Sequence, residues 1–328
     1  MSGEITGTSG RRPGDENDVP FLSTTAGLVL LAGAQGLAWG SASPIIKRCF
    51  EVFGLEGAPI ADLLLFCGVR FMLAGMLGIA LGSARRGCPL VPHGRVWGHV
   101  LLIALFQTTI QYSLDYIGLA QTTGTAASII ESGAGFFAIL ISSLAFRYER
   151  LTLHKLLGIA VGFAGVLVIN LQGADLSGGL TLTGEGLILL STISAGMTPS
   201  LMTRFLREGD DQLLLTGWQF LLGGATLAVG SLAAGGIWHT PSTPWGYAGF
   251  LYAASISSIA LVIQGTLLKW HPVSKIAVFG FLMPVFGVML SATMLGEAAT
   301  TPWATVLIAL ALVCAGIVIT NTAPREAD

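Results

Sequence analysis

Long apolar runs separated by short polar connections follow one another along almost the whole chain. A helix needs about 20 mostly apolar residues to cross the hydrocarbon core of a bilayer. Ten segments have this length, and the pattern therefore predicts an all-α membrane protein with ten transmembrane helices. The predicted spans lie near residues 21–46, 59–82, 97–117, 124–146, 153–171, 183–206, 212–236, 246–268, 273–295 and 302–321.

The composition of the chain supports this prediction and narrows the function. Of the 328 residues 53% are hydrophobic and only 10% are charged, whereas a soluble domain has about 25% charged residues. The net charge of −2 provides no basic surface for nucleic acid. The four cysteines are scattered, and neither an H-E-x-x-H nor a Walker A motif occurs. We therefore expect no metal site, no cofactor and no ATP-driven step.

The distribution of lysine and arginine indicates how the chain is oriented. With a cytoplasmic N-terminus, 13 of the 16 lysines and arginines fall on the cytoplasmic side, and only Lys47 and Arg48 fall in an outer loop. This bias predicts a multi-pass protein of the cytoplasmic (inner) membrane with both termini in the cytoplasm. The polar residues 1–20 are expected to form a disordered cytoplasmic tail, and 323–328 form a second one.

The two halves of the chain repeat one pattern. Asp62 and Arg70 in the second segment correspond to Asp211 and Gln219 in the seventh, both at an offset of 149 residues. Because each copy contains five spans, an odd number, the two copies must have opposite orientations in the membrane. Inverted repeats place a substrate site near the midplane and supply an alternating-access motion. The predicted divisions are a first repeat 21–171, a linker 172–182 and a second repeat 183–322.

Arg70 and Glu131 lie well inside predicted spans, where each ionisable residue costs at least about 2.5–3.5 kcal/mol. Arg70 could bind a substrate carboxylate, hold Glu131 in its charged form, or fix the fold through helix-end carbonyls. Glu131 shares a small polar helix face with Ser128 and Ser132. Burial favours a neutral carboxyl and a nearby arginine favours a charged one, so Glu131 could exchange a proton. The alternative is a static Arg70–Glu131 ion pair.

Further polar and aromatic residues are candidates for a cavity wall. Gln107, Gln111 and Asp115 follow one another at steps of four in the third segment and share one helix face. The two amides could bind a polar solute or the neighbouring helix, and Asp115 could instead be a solvated residue at the membrane surface. The other candidates are Gln35, Trp39, Gln219 and Tyr252, although aromatic residues in membrane helices more often serve packing or the interface.

Several of these features together resemble a known family. The two five-helix repeats, the Arg70-Phe71 pair, and a glutamate closing the fourth span of each repeat (Glu149 and Glu297) resemble the drug/metabolite transporter superfamily, in particular its EamA-type members. The resemblance covers about residues 21–322. It implies a secondary carrier, often an exporter, with a central cavity lined by helices 1–4 and 6–9.

The chain departs from that family pattern at one position. Pro284 lies in the ninth segment, but its counterpart in the fourth segment is Phe136, which lies beside Gly133 and Gly135. A hinge in the fourth helix must therefore depend on glycine.

We therefore expect a secondary active transporter that moves a small polar metabolite, amino acid-like or drug-like, through the lipid bilayer by alternating access. The resemblance favours efflux, and Glu131 is the candidate for proton coupling. Uptake by the same fold is one alternative, and a polytopic membrane enzyme acting on lipid is another. The Gly158-x-x-x-Gly162 pattern leaves a weak homodimer open beside a monomer.

Overall fold

The computed structural model describes residues 19–119, 121, 127, 130–171, 181–294 and 303–322. These residues form helices joined by short connections, and no β-strand occurs among them. The predicted tail 323–328 and most of the predicted tail 1–20 and linker 172–182 lie outside the described residues.

The described helices occupy the positions of the predicted spans. After a one-turn helix, Val19–Leu22, they are α1 (Thr25–Phe53), α2 (Ile60–Arg86), α3 (Val96–Leu119), α4 (Ala134–Ala145), α5 (Leu153–Asn170), α6 (Glu185–Arg207), α7 (Gln212–Ala233), α8 (Pro244–Leu268), α9 (Val273–Ala277, Val278–Phe281 and Leu282–Met294) and α10 (Trp303–Asn321). Eight of these helices are long and apolar enough to cross a membrane, whereas the apolar stretches of α4 and α5 are shorter.

Helix α1 extends seven residues beyond its predicted end at residue 46. It ends at Gly54, which adopts φ 66° and donates its backbone N–H to a carbonyl of the last turn. A glycine in this left-handed conformation is a common helix stop signal. The sequence had predicted Lys47 and Arg48 in an outer loop. They belong instead to the exposed end of a helix. Long cationic side chains at such an end can reach the membrane surface.

Helices α2 and α7 form the most extensive contact between the two halves of the chain. A Cβ atom added at Gly68 would lie 2.8 Å from the Gly224 carbonyl oxygen, and one added at Gly75 would lie 2.6 Å from that of Gly217. Small residues let helix backbones approach closely in a membrane protein. The glycines thus allow these two helices to touch backbone to backbone.

Helices α5 and α10 form a second close pair. A Cβ atom at Gly316 would lie 2.6 Å from the Gly158 carbonyl oxygen, and one at Gly162 would meet the ring of Phe281. Gly158 and Gly162, which the sequence left open as a dimer contact, therefore pack against other helices of the same chain.

The remaining major contacts also join the two halves. Helix α1 packs against α8 and α9, and α6 packs against α3 and α4. These contacts leave a polar space between the halves.

Candidate functional site

A cavity of about 290 Å³ lies between the two halves, with walls from α1, α3, α6, α8, α9 and the segment 131–138 around the start of α4. Its polar and aromatic lining residues are Gln35, Trp39, Gln107, Gln111, Tyr112, Asp115, Glu131, Ser132, Ser191, Thr192, Gln264 and Phe279. None of the described residues that line it is a lysine, arginine or histidine.

Asp115 and Glu131 form the most polar part of this wall. Asp115 lies near the end of α3, and Glu131 lies just before α4, yet their carboxyl groups are within hydrogen-bonding reach of each other. The Oδ1 atom of Asp115 is buried and has no hydrogen-bond partner among the described residues. The structure therefore pairs Glu131 with a second acid. Ser128, which the sequence placed on the same face as Glu131, lies outside the described residues.

The two predicted amides of α3 also face the cavity. Gln107 Nε2 donates a hydrogen bond to Gln111 Oε1 at 3.2 Å, and both residues line the space. Gln107 belongs to a stretch of wider π-helical turns, Ala104–Ile110. Such turns are rare and are frequent at functional sites. The hydrogen bond between Gln107 and Gln111 keeps the two amides beside each other on the cavity wall.

Helix α1 supplies Gln35 and Trp39, one turn apart, as the sequence suggested. It packs closely against α9, as a Cβ atom added at Gly40 would lie only 2.9 Å from the Met283 carbonyl oxygen. Glycine at this position brings the polar face of α1 up to the cavity.

Both α4 and α9 are interrupted beside the cavity. Helix α9 passes through a 3₁₀ turn, Val278–Phe281, shortly before Pro284. At the start of α4 the chain makes a turn in which the Gly133 N–H bonds to the Ile130 carbonyl at 2.9 Å. Broken helices commonly line transporter sites, since their free backbone groups face the cavity. The glycine turn occupies the region where the sequence predicted a hinge without proline.

Arg70 does not line the cavity. It is 3% exposed, and its Nη1 donates to Ser257 Oγ at 3.4 Å. Its Cζ lies 4.4 Å from the centroid of the Phe71 ring, and Tyr112, which packs on Phe71, lies on the cavity side. Within the described part of the chain no carboxylate forms an ion pair with Arg70. The Arg70–Glu131 pair that the sequence left open is thus not formed.

Gln219 occupies the corresponding place in the second half and is also outside the cavity. It is fully buried and accepts a hydrogen bond from Thr108 Oγ1 at 2.9 Å. Both Arg70 and Gln219, and likewise Thr108 and Ser257, are separated by 149 residues. The two contacts are therefore counterparts, and each joins helices of opposite halves.

Tyr252 lies apart from the other predicted site residues. It is 47% exposed, and its hydroxyl lies 3.2 Å from Ser41 Oγ. Helix α8 contributes Leu261 and Gln264 to the cavity wall instead. Sequence reasoning missed Gln264, although an amide inside an apolar span is a usable signal.

Glu149 ties the end of the α4 segment to α9. Its carboxylate accepts hydrogen bonds from the Ser274 N–H at 2.9 Å and from Ser142 Oγ at 3.2 Å, and the Ser274 hydroxyl donates a further one. Lys155 Nζ forms an ion pair with it at 2.9 Å. A carboxylate at the first turn of a helix satisfies a free N–H and opposes the helix dipole. Glu297, its predicted counterpart, lies outside the described residues.

A bundle of apolar helices around a polar cavity is typical of membrane carriers, and comparison with known proteins agrees. The model of the EamA-like transporter family matches residues 26–171 and again residues 182–322. The chain therefore belongs to the EamA-like transporter family and is a multi-pass membrane transporter.

Relatives of this chain occur in distant organisms, and two of the three described here are named as transporters. An uncharacterized transporter of Archaeoglobus fulgidus is 28% identical over 66% of this chain and 74% of its own length. The uncharacterized transporter YetK of Bacillus subtilis is 25% identical over 96% of this chain and 95% of its own. A WAT1-related chloroplastic protein of Arabidopsis thaliana is 26% identical over 62% of this chain and 46% of its own.

A solved crystal structure has a similar fold. It superposes with a TM-score of 0.71 and covers 91% of this chain and 99% of that one, at 19% identity. At this identity the likeness supports the fold alone.

Proposed function

We propose that the protein is a secondary active transporter that exports a small polar metabolite, amino acid-like or drug-like, across the cytoplasmic membrane in exchange for protons. The cavity with two carboxyl groups on its wall is the observation that carries this proposal. Its volume of about 290 Å³ is just below the range for small-molecule sites, about 300–1,000 Å³. A cargo of modest size fits this space.

The alternating-access mechanism rests on two inverted five-helix repeats, 21–171 and 183–322. Reciprocal packing supports them, since α1 meets α8 and α9 while α6 meets α3 and α4. The Arg70–Ser257 and Thr108–Gln219 contacts also follow one offset of 149 residues. In such a pair of repeats the two halves can exchange their arrangements, which opens the cavity to one side and then to the other.

Proton coupling is assigned to Asp115 and Glu131. Two carboxylates in close contact repel each other strongly where water is scarce, and one shared proton removes that repulsion. Asp115 lies on α3, whereas Glu131 adjoins the glycine turn before α4. A movement of α4 relative to α3 would separate the two groups and release the proton.

The direction of transport and the orientation belong to the same proposal. The distribution of lysine and arginine supports cytoplasmic termini, and the family resemblance supports efflux. Uptake by the same mechanism is the alternative, and a gene deletion separates the two. Loss of an exporter raises the intracellular concentration of the cargo, whereas loss of an importer lowers it.

Transport into proteoliposomes under an imposed pH gradient tests the proposal. Wild-type protein should move protons when a panel of amino acids and small drug-like molecules is added, and Glu131→Gln should not. Glu56→Gln is the matched control, because Glu56 is exposed and does not line the cavity. If Glu131→Gln transports as the wild type does at every gradient, the coupling proposal fails.

A further inference from the structure

The charge of the cavity wall is one-sided. Asp115 and Glu131 line the space, and the described lining contains no cationic side chain. Arg70, the basic residue that the sequence offered as a partner, lies behind Phe71 and is bonded to Ser257. The negative charge of the wall is thus not balanced locally by the protein.

The neutral polar groups of the wall cannot supply this balance. Gln107 donates to Gln111, so one donor of this pair is already used within the wall. The buried Oδ1 of Asp115 has no partner among the described residues. Burying a negative charge is costly, and an opposite charge within a few ångströms offsets that cost.

Aromatic side chains complete the same wall. Trp39 and Tyr112 line the cavity together with the two acids. An organic cation gains energy near an indole or phenol ring. Such a wall suits an alkylammonium group, which has both a charge and an apolar surface.

From this arrangement we infer that the transported molecule carries a positively charged amine or quaternary ammonium group, which binds beside Asp115 and Glu131. This inference rests on the proposed transport function and specifies its cargo. Anions are excluded, because they would meet two carboxyl groups and no lining cation. A cargo without charge would leave the negative charge of this wall unbalanced.

Thermal unfolding of the purified protein in detergent tests this inference. The probes are choline, benzyltrimethylammonium and tetramethylammonium, the neutral choline isostere 3,3-dimethylbutan-1-ol, and the anions acetate and benzoate, all at equal ionic strength. At least one cation should raise the midpoint by about 2 °C or more at a concentration well above its Kd. The isostere and the anions should leave it unchanged.

Variants then show whether the cation-induced rise of the midpoint depends on Asp115 and Glu131. The Asp115→Asn/Glu131→Gln double variant should lose the shift, whereas Glu56→Gln should keep it. If the double variant does not fold, each single variant is compared in its place, and the choice between cation and isostere is decided by the wild type alone. The inference is overturned if no cation shifts the midpoint, if the isostere or an anion shifts it equally, or if the double variant responds as the wild type does.

The outcome is separable from that of the transport proposal. Cation binding without proton-coupled flux in proteoliposomes would leave the cation site beside Asp115 and Glu131 standing and overturn the proposed proton-coupled export. Proton-coupled flux of only neutral or anionic molecules would overturn the cation inference and leave the proposed export standing.

Discussion

The Arg70 guanidinium donates a hydrogen bond to the Ser257 hydroxyl at 3.4 Å and thereby joins α2 to α8. Thr108 and Gln219 make the counterpart contact, which joins α3 of the first half to α7 of the second. Equivalent positions of the two repeats thus carry the cation Arg70 in α2 and the amide Gln219 in α7. We therefore expect Arg70 to position helices outside the cavity rather than to bind the cargo.

A first prediction follows for Arg70. Because Gln219 performs the equivalent task, Arg70→Gln should retain cation binding and most of the stability. Arg70→Ala removes the hydrogen bond and leaves a void, and it should lower the free energy of unfolding by about 1–3 kcal/mol or more. Thermal unfolding and probe binding check both variants. A folded Arg70→Gln protein that no longer binds any cation would show that Arg70 acts in the site.

A second prediction concerns the backbone contact of α2 with α7. Gly75→Leu has no room beside the Gly217 carbonyl, so it should destabilise the protein by about 1–3 kcal/mol or more. Gly33→Ala is the control, since a Cβ atom there meets nothing within 4 Å. It should be neutral or stabilise α1 by up to about 1 kcal/mol. Equal unfolding midpoints for both variants would contradict the described packing.

The third prediction concerns Glu149. Glu149→Gln removes the charge that faces Lys155 and presents a donor to the Ser274 N–H, both in a largely buried setting. It should cost about 1–3 kcal/mol while probe binding by the folded protein persists. Glu51→Gln removes an exposed ion pair with Arg48 and should change stability by less than about 1 kcal/mol. A Glu149→Gln protein as stable as Glu51→Gln would exclude a structural role for Glu149.

Much of the fold could be predicted from hydropathy, because the bilayer fixes the length of a span. The described helices lie where the apolar runs lie, and eight of them are long enough to cross a membrane. The largest difference at a helix end is that of α1. That end depends on Gly54, whose left-handed conformation stops the helix after Lys47 and Arg48. A charged residue that follows an apolar run can belong either to a loop or to the last turn of the helix.

Less of the candidate site than of the fold could be predicted from the sequence. Helix periodicity placed Gln107, Gln111 and Asp115 on one face, and these residues do share the cavity wall. Periodicity does not specify which neighbour a face meets, so the partner of Glu131 could not be derived. Tertiary packing brings Asp115 to Glu131 and directs Arg70 to another helix.

Tyr252 illustrates the same limit. At 100° per residue, Tyr252 and Gln264 lie about 120° apart around α8. Polar residues occur on more than one face of this helix, so the sequence alone does not indicate which face lines the cavity. The structure turns Gln264 inward and Tyr252 outward.

The central claim is that Asp115 and Glu131 together couple cargo movement to protons. Its most direct test measures, in proteoliposomes, accumulation of a bound cation driven by a pH gradient and, separately, exchange of that cation without a gradient. Asp115→Asn and Glu131→Gln should each abolish accumulation while retaining some exchange, and Glu56→Gln should match the wild type. Accumulation at the wild-type level in both cavity variants would contradict the claim.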